Sequence, residues 1–477
     1  MSTLAHRPAQ RIDKSGRPQI DYRAIVQLSG PLMINSAVQS VLNLTDTWFV
    51  SQLSTNATAA MAAIYWIVLC SIMLLGGVAM AVQTLAAQAH GAGRYADASS
   101  AAWSGLYASL LTIPLFIGIG FLGAPLLHLL KLSPEVQQLA LSYWWPRMAV
   151  GGPIALVAWS LTGFFNGIGR TRVTLWVTVV MALLNVPFNQ FFMFSLGLGM
   201  AGSAWGTVAA QIVGTLVSLW FFLGKRLRRG YHTHQTWRRP AIRRQFLLGL
   251  PMGLASTADL LGLALFQLML VTESATAGAA TQIVMMLTSL AYLPGIGIAL
   301  AGTTLVGQAI GAGDVEWARR TGNAIIRLTM GFMGAIGMLL ALVSPWLLPL
   351  FLNATDPLTP DVLRLATPLI WMAACYQAFD GLNLSASFCL RGASDVHVPA
   401  LIVAALSWGL WVPITHILTF APGHGWVDFL PALGLGAIGG WVASVLYVVA
   451  LGSSLWWRWQ SGRWQALHSS LSAVPER

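Results

Sequence analysis

Three acidic residues stand where lipid should be. Of the fifteen Asp and Glu in the chain, twelve fall in arms, loops or the ends of apolar runs, whereas Asp46, Asp259 and Asp380 lie inside such runs. A carboxylate at the centre of a membrane helix costs about 2.5–3.5 kcal/mol to insert, so it is rarely there without a partner or a task. Polar neighbours accompany these acids at helical spacing. Asn35, Gln39, Asn43 and Asp46 share one helix face, as do Tyr376, Asp380, Asn383 and Ser387, and Asn185 and Asn189 flank Pro187. One polar stripe is more often glue between helices, but three of them, in both halves of the chain, fit a polar cavity better. Asp46 lies near the end of its run, where a structural hydrogen bond competes with a functional role. For Asp259 and Asp380 function is the better reading.

The chemistry open to such groups is ion exchange. A poorly solvated carboxyl group can load and release a proton near neutral pH. With amide and hydroxyl neighbours, the same oxygens suit Na⁺, so Asp259 and Asp380 are also the candidate metal ligands. Either ion entering a cell releases about 2.3 kcal/mol per charge per 100 mV of membrane potential. Fixed negative charge also favours cationic cargo. No enzymatic set competes with this reading. The sequence has no G-x-x-x-x-G-K-[ST] phosphate loop and no H-E-x-x-H zinc motif. Cys70, Cys375 and Cys389 sit in apolar runs without metal-ligand spacing. No catalytic residue and no cofactor is expected, beyond a coupling H⁺ or Na⁺.

The elements that must hold these residues are membrane helices. The chain is 56% hydrophobic and 9% charged, with a mean hydropathy of +0.69, against about a quarter charged in soluble domains. Apolar runs long enough to span a bilayer fall near 25–50, 60–86, 100–130, 137–165, 173–196, 201–224, 246–270, 277–305, 321–350, 362–389, 397–420 and 434–457. Pro134 and Pro357 mark the middle of two connections, and Tyr143-Trp144-Trp145 reads as an interfacial anchor. Twelve spans put 23 of the 26 Lys and Arg on the side of both termini, leaving Lys131, Arg147 and Arg364 opposite. That side is cytoplasmic. The net charge of +11 is therefore a topology signal with possible contact to lipid heads, and nucleic-acid binding is not invoked.

The chain also repeats. A shift of 220 positions carries Pro31 onto Pro251, Gly77 onto Gly297, and Gln88-Ala89-x-Gly91-Ala92-Gly93 onto Gln308-Ala309-x-Gly311-Ala312-Gly313. The acids were not copied: Asp259 falls on Gln39, and Asp46 on Phe266. Like-directed membrane repeats are a transporter architecture. The expected organisation is a cytoplasmic arm (1–23), a lobe of helices 1–6 (24–224), a basic linker (225–245), a lobe of helices 7–12 (246–457) and a cytoplasmic tail (458–477). The fold class is all-α integral membrane, with twelve transmembrane helices in two pseudo-symmetric six-helix bundles.

From residue 24 to 457 the chain resembles the multidrug and toxic compound extrusion (MATE) family, in its NorM-type bacterial branch. Pro31, Gln39 and Asp46-Thr47 are similar to the family's first helix, Asn185-Val186-Pro187-x-Asn189 to the fifth, and Leu248-Gly249-Leu250-Pro251 with Asp259 to the seventh. Ala280-Thr281-Gln282 resembles the eighth helix, and Tyr376-Gln377-Ala378-Phe379-Asp380 with Leu390-Arg391-Gly392 resembles the tenth. The resemblance implies two lobes around a central cleft and export of cationic, often aromatic compounds against H⁺ or Na⁺. It implies that Asp259 and Asp380 bind the coupling ion, with Asp46 contributing. The cavity would be lined by Asn35, Gln39, Asn43, Asn185, Asn189, Gln282, Tyr376, Gln377 and Asn383. Two departures stand out. The seventh-helix acid is usually Glu and is Asp259 here, and the other prokaryotic branch has an acid where this chain has Asn189.

The expected partners are small cationic or amphipathic organic molecules and membrane lipids, for a monomer in the bacterial inner membrane. The alternative is a flippase of lipid-linked precursors, which would want a cationic cavity. A membrane enzyme or a channel is weaker: the first lacks a nucleophile–base or metal set, and the second is more often an oligomer of shorter chains.

Overall fold

A computed structural model of the chain describes residues 7–234, 237–352 and 357–466. Parts of the expected arm (1–6), linker (235–236) and tail (467–477) lie outside the described residues. Twelve long apolar helices occupy the twelve expected runs. They are α1 Tyr22–Ser51, α2 Thr55–Gly91, α3 Tyr95–Phe121, α4 Pro134–Gly167, α5 Thr171–Ser195, α6 Gly199–Leu223, α7 Arg239–Glu273, α8 Ala275–Gly311, α9 Val315–Phe351, α10 Thr359–Gly392, α11 His397–Thr419 and α12 Gly436–Gln460. Helices are the natural answer here, since a lipid-exposed backbone must satisfy its own hydrogen bonds.

Two expectations need correcting. The run at 100–130 is not one helix: it breaks at Thr112 and Leu122, and a short helix continues over Gly123–Leu129. Pro114 and Pro125 lack the N–H that would carry the ladder through these points. Pro134 does not sit mid-connection; it opens α4, where its missing donor costs nothing.

The repeat is visible in three dimensions down to its caps. α2 and α8 each run 37 residues. Each is capped by a serine, Ser54 Oγ accepting from Ala57 N at 3.0 Å and Ser274 Oγ from Ala277 N at 3.1 Å. Each ends on Ala then Gly, with Gly93 at φ 70° and Gly313 at φ 80°, the left-handed turn that stops a helix.

Two six-helix bundles result. In the first, α2 packs on α3 and α4, α1 on α5, and α5 on α6; in the second, α8 packs on α9 and α10, α10 on α12, and α7 on α11. The bundles meet through the duplicated helices, α1 on α8, α2 on α7 and α2 on α8. The closest approach is reciprocal. A methyl group built on Gly91 would lie 1.9 Å from the Gln308 carbonyl oxygen, and one on Gly311 would lie 1.9 Å from that of Gln88. The glutamine side chains complete the contact, Gln88 Nε2 donating to the Gly392 carbonyl at 2.9 Å and Gln308 Nε2 to that of Gly167 at 2.8 Å. The seam therefore closes at the C-terminal ends of α2 and α8.

The N-terminal arm is more ordered than a polar basic stretch suggests. β1 (Gln10–Ile12) and β2 (Pro18–Ile20) form an antiparallel hairpin. Its turn is built on Asp13, whose carboxyl is held below the usual range by the Ser15 hydroxyl and the Arg17 amide. Arg7 pairs with Asp314 at 2.7 Å and Trp317 Nε1 donates to the Pro8 carbonyl at 2.8 Å, tying the arm to the start of α9.

Candidate functional site

Three breaks in helical regularity coincide with the polar residues. The five- or six-residue stretches Arg147–Gly151 in α4, Gln190–Ser195 in α5 and Ser407–Trp411 in α11 are wound as π-helix. Each lies within three residues of a proline: Pro146, Pro187 and Pro413. A π-turn widens the ladder and redirects side chains, and such turns gather at functional positions.

In the first bundle the second of these breaks follows Asn189 directly. Asn189 Nδ2 donates to Asp46 Oδ1 at 2.6 Å and to Asn185 Oδ1 at 3.1 Å, while Thr207 Oγ1 donates to Asp46 Oδ2 at 2.9 Å. Gly206 permits this: a Cβ there would lie 2.2 Å from Asn189 Oδ1. Asn185 Nδ2, Asn189 Oδ1 and Ser203 Oγ are buried without a hydrogen-bond partner. Buried polar groups normally find a partner, so these atoms leave the surroundings of Asp46 able to take a further polar contact. The oxygens of Asp46, Asn185, Asn189, Ser203 and Thr207 are the donor types that suit a hard cation, and Asp46 alone suits a proton.

Asp46 also faces a cavity of about 410 Å³, whose wall includes Asn35, Gln39 and Asn43 from the same face of α1. Every residue lining it belongs to α1–α6. Tyr143, expected with Trp144 at the membrane surface, turns inward onto this cavity. Trp144 is buried and donates to the carbonyls of Ile119 and Gly120, just before the break in α3. Only Trp145 is exposed as an anchor would be. Asn185 and Asn189 stand behind Asp46 and do not form part of the wall.

The three acids are thus not gathered in one chamber. Asp259 and Asp380 belong to the second bundle, close enough to act on each other electrostatically, and the Arg391 charge also reaches Asp259. Asp259 Oδ1 accepts from the Tyr447 hydroxyl at 2.5 Å. That ring lies flat on Trp411, with centroids 4.4 Å apart, and Trp411 Nε1 is fixed by Ser444 Oγ at 3.0 Å. Asp380 is held loosely: Asn383 Nδ2 donates to it at 3.4 Å. Both acids are half-buried. Tyr376 stacks on Trp441 at 6.2 Å. Gln377 is buried and donates to the Thr288 carbonyl at 3.2 Å, so it pins α10 to α8. Gln282 is exposed, and its neighbour Thr281 takes the Trp441 indole instead. Among the described residues no group of three His, Cys, Asp or Glu could hold a metal. Any Na⁺ beside Asp259 or Asp380 would lean on neutral oxygens.

Four residues enter the site that the sequence reading did not single out: Thr207, Arg147, Tyr447 and Arg391. Thr207 follows Ser203 by one helical turn, a two-residue polar stripe. Arg147 lies within the expected run 137–165 and lines the cavity. Arg391 lies in the last turn of α10, with its guanidinium 4.6 Å from the Phe388 ring centroid.

Known proteins give the same architecture and a common family. The chain is 28% identical over 449 residues, 92% of each chain, to a probable multidrug resistance protein NorM of Rhizobium meliloti (strain 1021). It is 26% identical to the multidrug resistance protein PmpM of Pseudomonas aeruginosa, over 86% of this chain and 87% of that one. The fold matches a multidrug resistance MATE family transporter of the MOP superfamily solved in its outward-facing conformation, with a TM-score of 0.77 at 21% identity, covering 94% of this chain and 96% of the other. A MATE structure in the straight conformation matches equally, with a TM-score of 0.77 over 93% and 96%. The MatE family model matches residues 31–191 and 251–417, one segment in each bundle. With the match repeated in both bundles, and relatives aligned over nearly the whole chain, this protein belongs to the MatE family.

Proposed function

We propose that the protein is a secondary multidrug exporter of a bacterial inner membrane, moving small organic compounds outward in exchange for H⁺ or Na⁺. On this reading both termini and the seam at Gly91 and Gly311 face the cytoplasm, where the packed ends of α2 and α8 hold the bundles together. The names of the relatives support the drug-export part, and the arginine distribution supports the orientation.

One observation carries the coupling. The Asp46 carboxylate is caged by Asn189 and Thr207, beside unpartnered polar atoms of Asn185, Asn189 and Ser203, and it also forms part of the cavity wall. An ion that binds in the cage alters the charge and position of a group the cargo touches. Ion and cargo then favour different arrangements of the bundles, which is the condition for one to drive the other. Asp259 and Asp380 form a second, separate acidic pair whose charge answers to Tyr447 and Asn383. The excess of arginine that a flippase for lipid-linked anions would want is not in the cavity wall, where one Arg stands against one Asp.

The test is efflux of ethidium from proteoliposomes under an imposed Na⁺ gradient or an imposed pH gradient, with the wild type and Asp46→Asn. The reading expects one gradient to drive efflux in the wild type and neither to do so in the variant. Efflux that ignores both gradients would overturn it.

A further inference from the structure

A second cavity, of about 1520 Å³, opens beside the seam, and its wall draws on both bundles. Gln88 and Asp97 come from α2 and α3, Arg244 and Gly311 from α7 and α8. Four arginines line it, Arg94, Arg238, Arg239 and Arg244, against one carboxylate, Asp97. All four are exposed. Asp97 stands 3.7 Å from Arg94 Nη1 and 3.8 Å from Arg238 Nη1, so one acid is shared loosely by two guanidinium groups. Among the described residues no carboxylate lies within ion-pair distance of Arg239 or Arg244. Arg94 and Arg244 are near enough for their charges to oppose each other.

A surplus of arginine on this side of the protein follows from topology, but topology does not ask that four of them surround one hollow. Like charges gathered in this way repel unless an anion lies among them. Guanidinium groups meet phosphate oxygens with paired, charge-assisted donors. The start of α7 adds to the same field: Pro240 and Ala241 are on the wall, and no side chain caps the helix there. Trp237, also on the wall, is exposed and packs edge-on against Tyr107 with ring centroids 4.8 Å apart. An exposed indole beside a basic cluster suits the level of the lipid headgroups. We propose that this hollow is a phosphate site, filled by the headgroup of an anionic phospholipid or by a free phosphate. Arg94 precedes α3 of the first bundle and Arg244 belongs to α7 of the second, so one phosphate held by both ties the bundles together next to Gly311. The site is independent of what the protein exports.

The experiment follows thermal unfolding of the full chain in a neutral detergent while short-chain phosphatidylglycerol, phosphatidylcholine or inorganic phosphate is titrated in, the last against chloride at equal ionic strength. A ligand that binds the folded protein raises its melting temperature. Phosphatidylglycerol should do so and phosphatidylcholine should not. Arg244→Gln removes one charge-assisted contact, so it should need about tenfold more of the lipid for the same rise. Should that variant not fold, Arg94→Gln tests the same contact from the other bundle. Arg172→Gln is the control, an exposed arginine at the start of α5 that does not line the hollow, and it should titrate as the wild type does. A rise with inorganic phosphate that Arg244→Gln weakens, and no rise with the lipid, would support the site and name a soluble source. No rise with either phosphate compound would overturn the proposal. So would an equal loss in Arg172→Gln, which would reduce the effect to general surface charge.

Discussion

Asn189 gives one N–H to Asp46 at 2.6 Å, while its own carbonyl oxygen, equally buried, meets no donor. The amide is thus half used, and a guest ion would complete it. Replacing Asp46 with Asn removes the charge and keeps the shape. We expect ion-driven efflux to fall at least about tenfold, the scale of 1.4 kcal/mol, with little change in thermal stability in detergent. Asn189→Ala should behave differently, leaving a buried carboxylate short of a donor and costing about 1–3 kcal/mol of stability. Thermal unfolding of the two purified variants separates the cases.

Tyr447 is held by its ring and used by its hydroxyl. Tyr447→Phe keeps the stack on Trp411 and deletes the donor to Asp259. The expected result is a loss of about 1–3 kcal/mol of stability together with an altered response of efflux to external pH. A variant matching the wild type in both would mean that Asp259 is served by another group.

Asp380 makes one long bond, to Asn383 at 3.4 Å, so little of the fold depends on it. Asp380→Asn should therefore leave the melting temperature almost unmoved and abolish ethidium efflux from energised cells. Efflux at the wild-type rate would remove Asp380 from the mechanism.

The seam at Gly91 and Gly311 has no room for a methyl group on either side. Gly91→Ala and Gly311→Ala should each push the C-terminal ends of α2 and α8 apart. Spin labels on the exposed residues Tyr95 and Glu316, read by pulsed electron resonance, should show a longer distance in either variant. Because the contact is reciprocal, the two variants should shift by similar amounts.

Much of this molecule was legible before any coordinates. Apolar length alone places the twelve helices, and the shift of 220 positions that aligns Gly91 with Gly311 marks the surfaces on which the bundles meet. What the sequence does not carry is rotation about a helix axis once the helix departs from regular winding. Tyr143 and Trp144 read as surface anchors because their composition suits an interface, yet the π-helical stretch beginning at Arg147 and the freed carbonyls near Leu122 draw them inward. Gln377 shares a helix with Asp380, but the register of α10 on α8 turns it toward Thr288. Arg147 was missed for a different reason. It sits inside an expected span, where any ionisable residue is a candidate, but it has no polar partner at helical spacing to mark it as the acids have. The division into lobes already puts Asp46 apart from Asp259 and Asp380; what spacing along the chain does not encode is that the cavity facing Asp46 is lined by its own bundle alone.

The mutual fit of Gln88 on Gly311 and Gln308 on Gly91 has an evolutionary consequence. When residue i of one copy touches residue j of the other, and j of the first touches i of the second, the surface is isologous, as in a twofold dimer. A single ancestral half with this patch could pair with another of its kind, both inserted in the same direction, before any fusion joined them. Two such halves in one chain can differ inside while keeping the shared contact, as they do here, with Asp46 in one and Asp259 in the other.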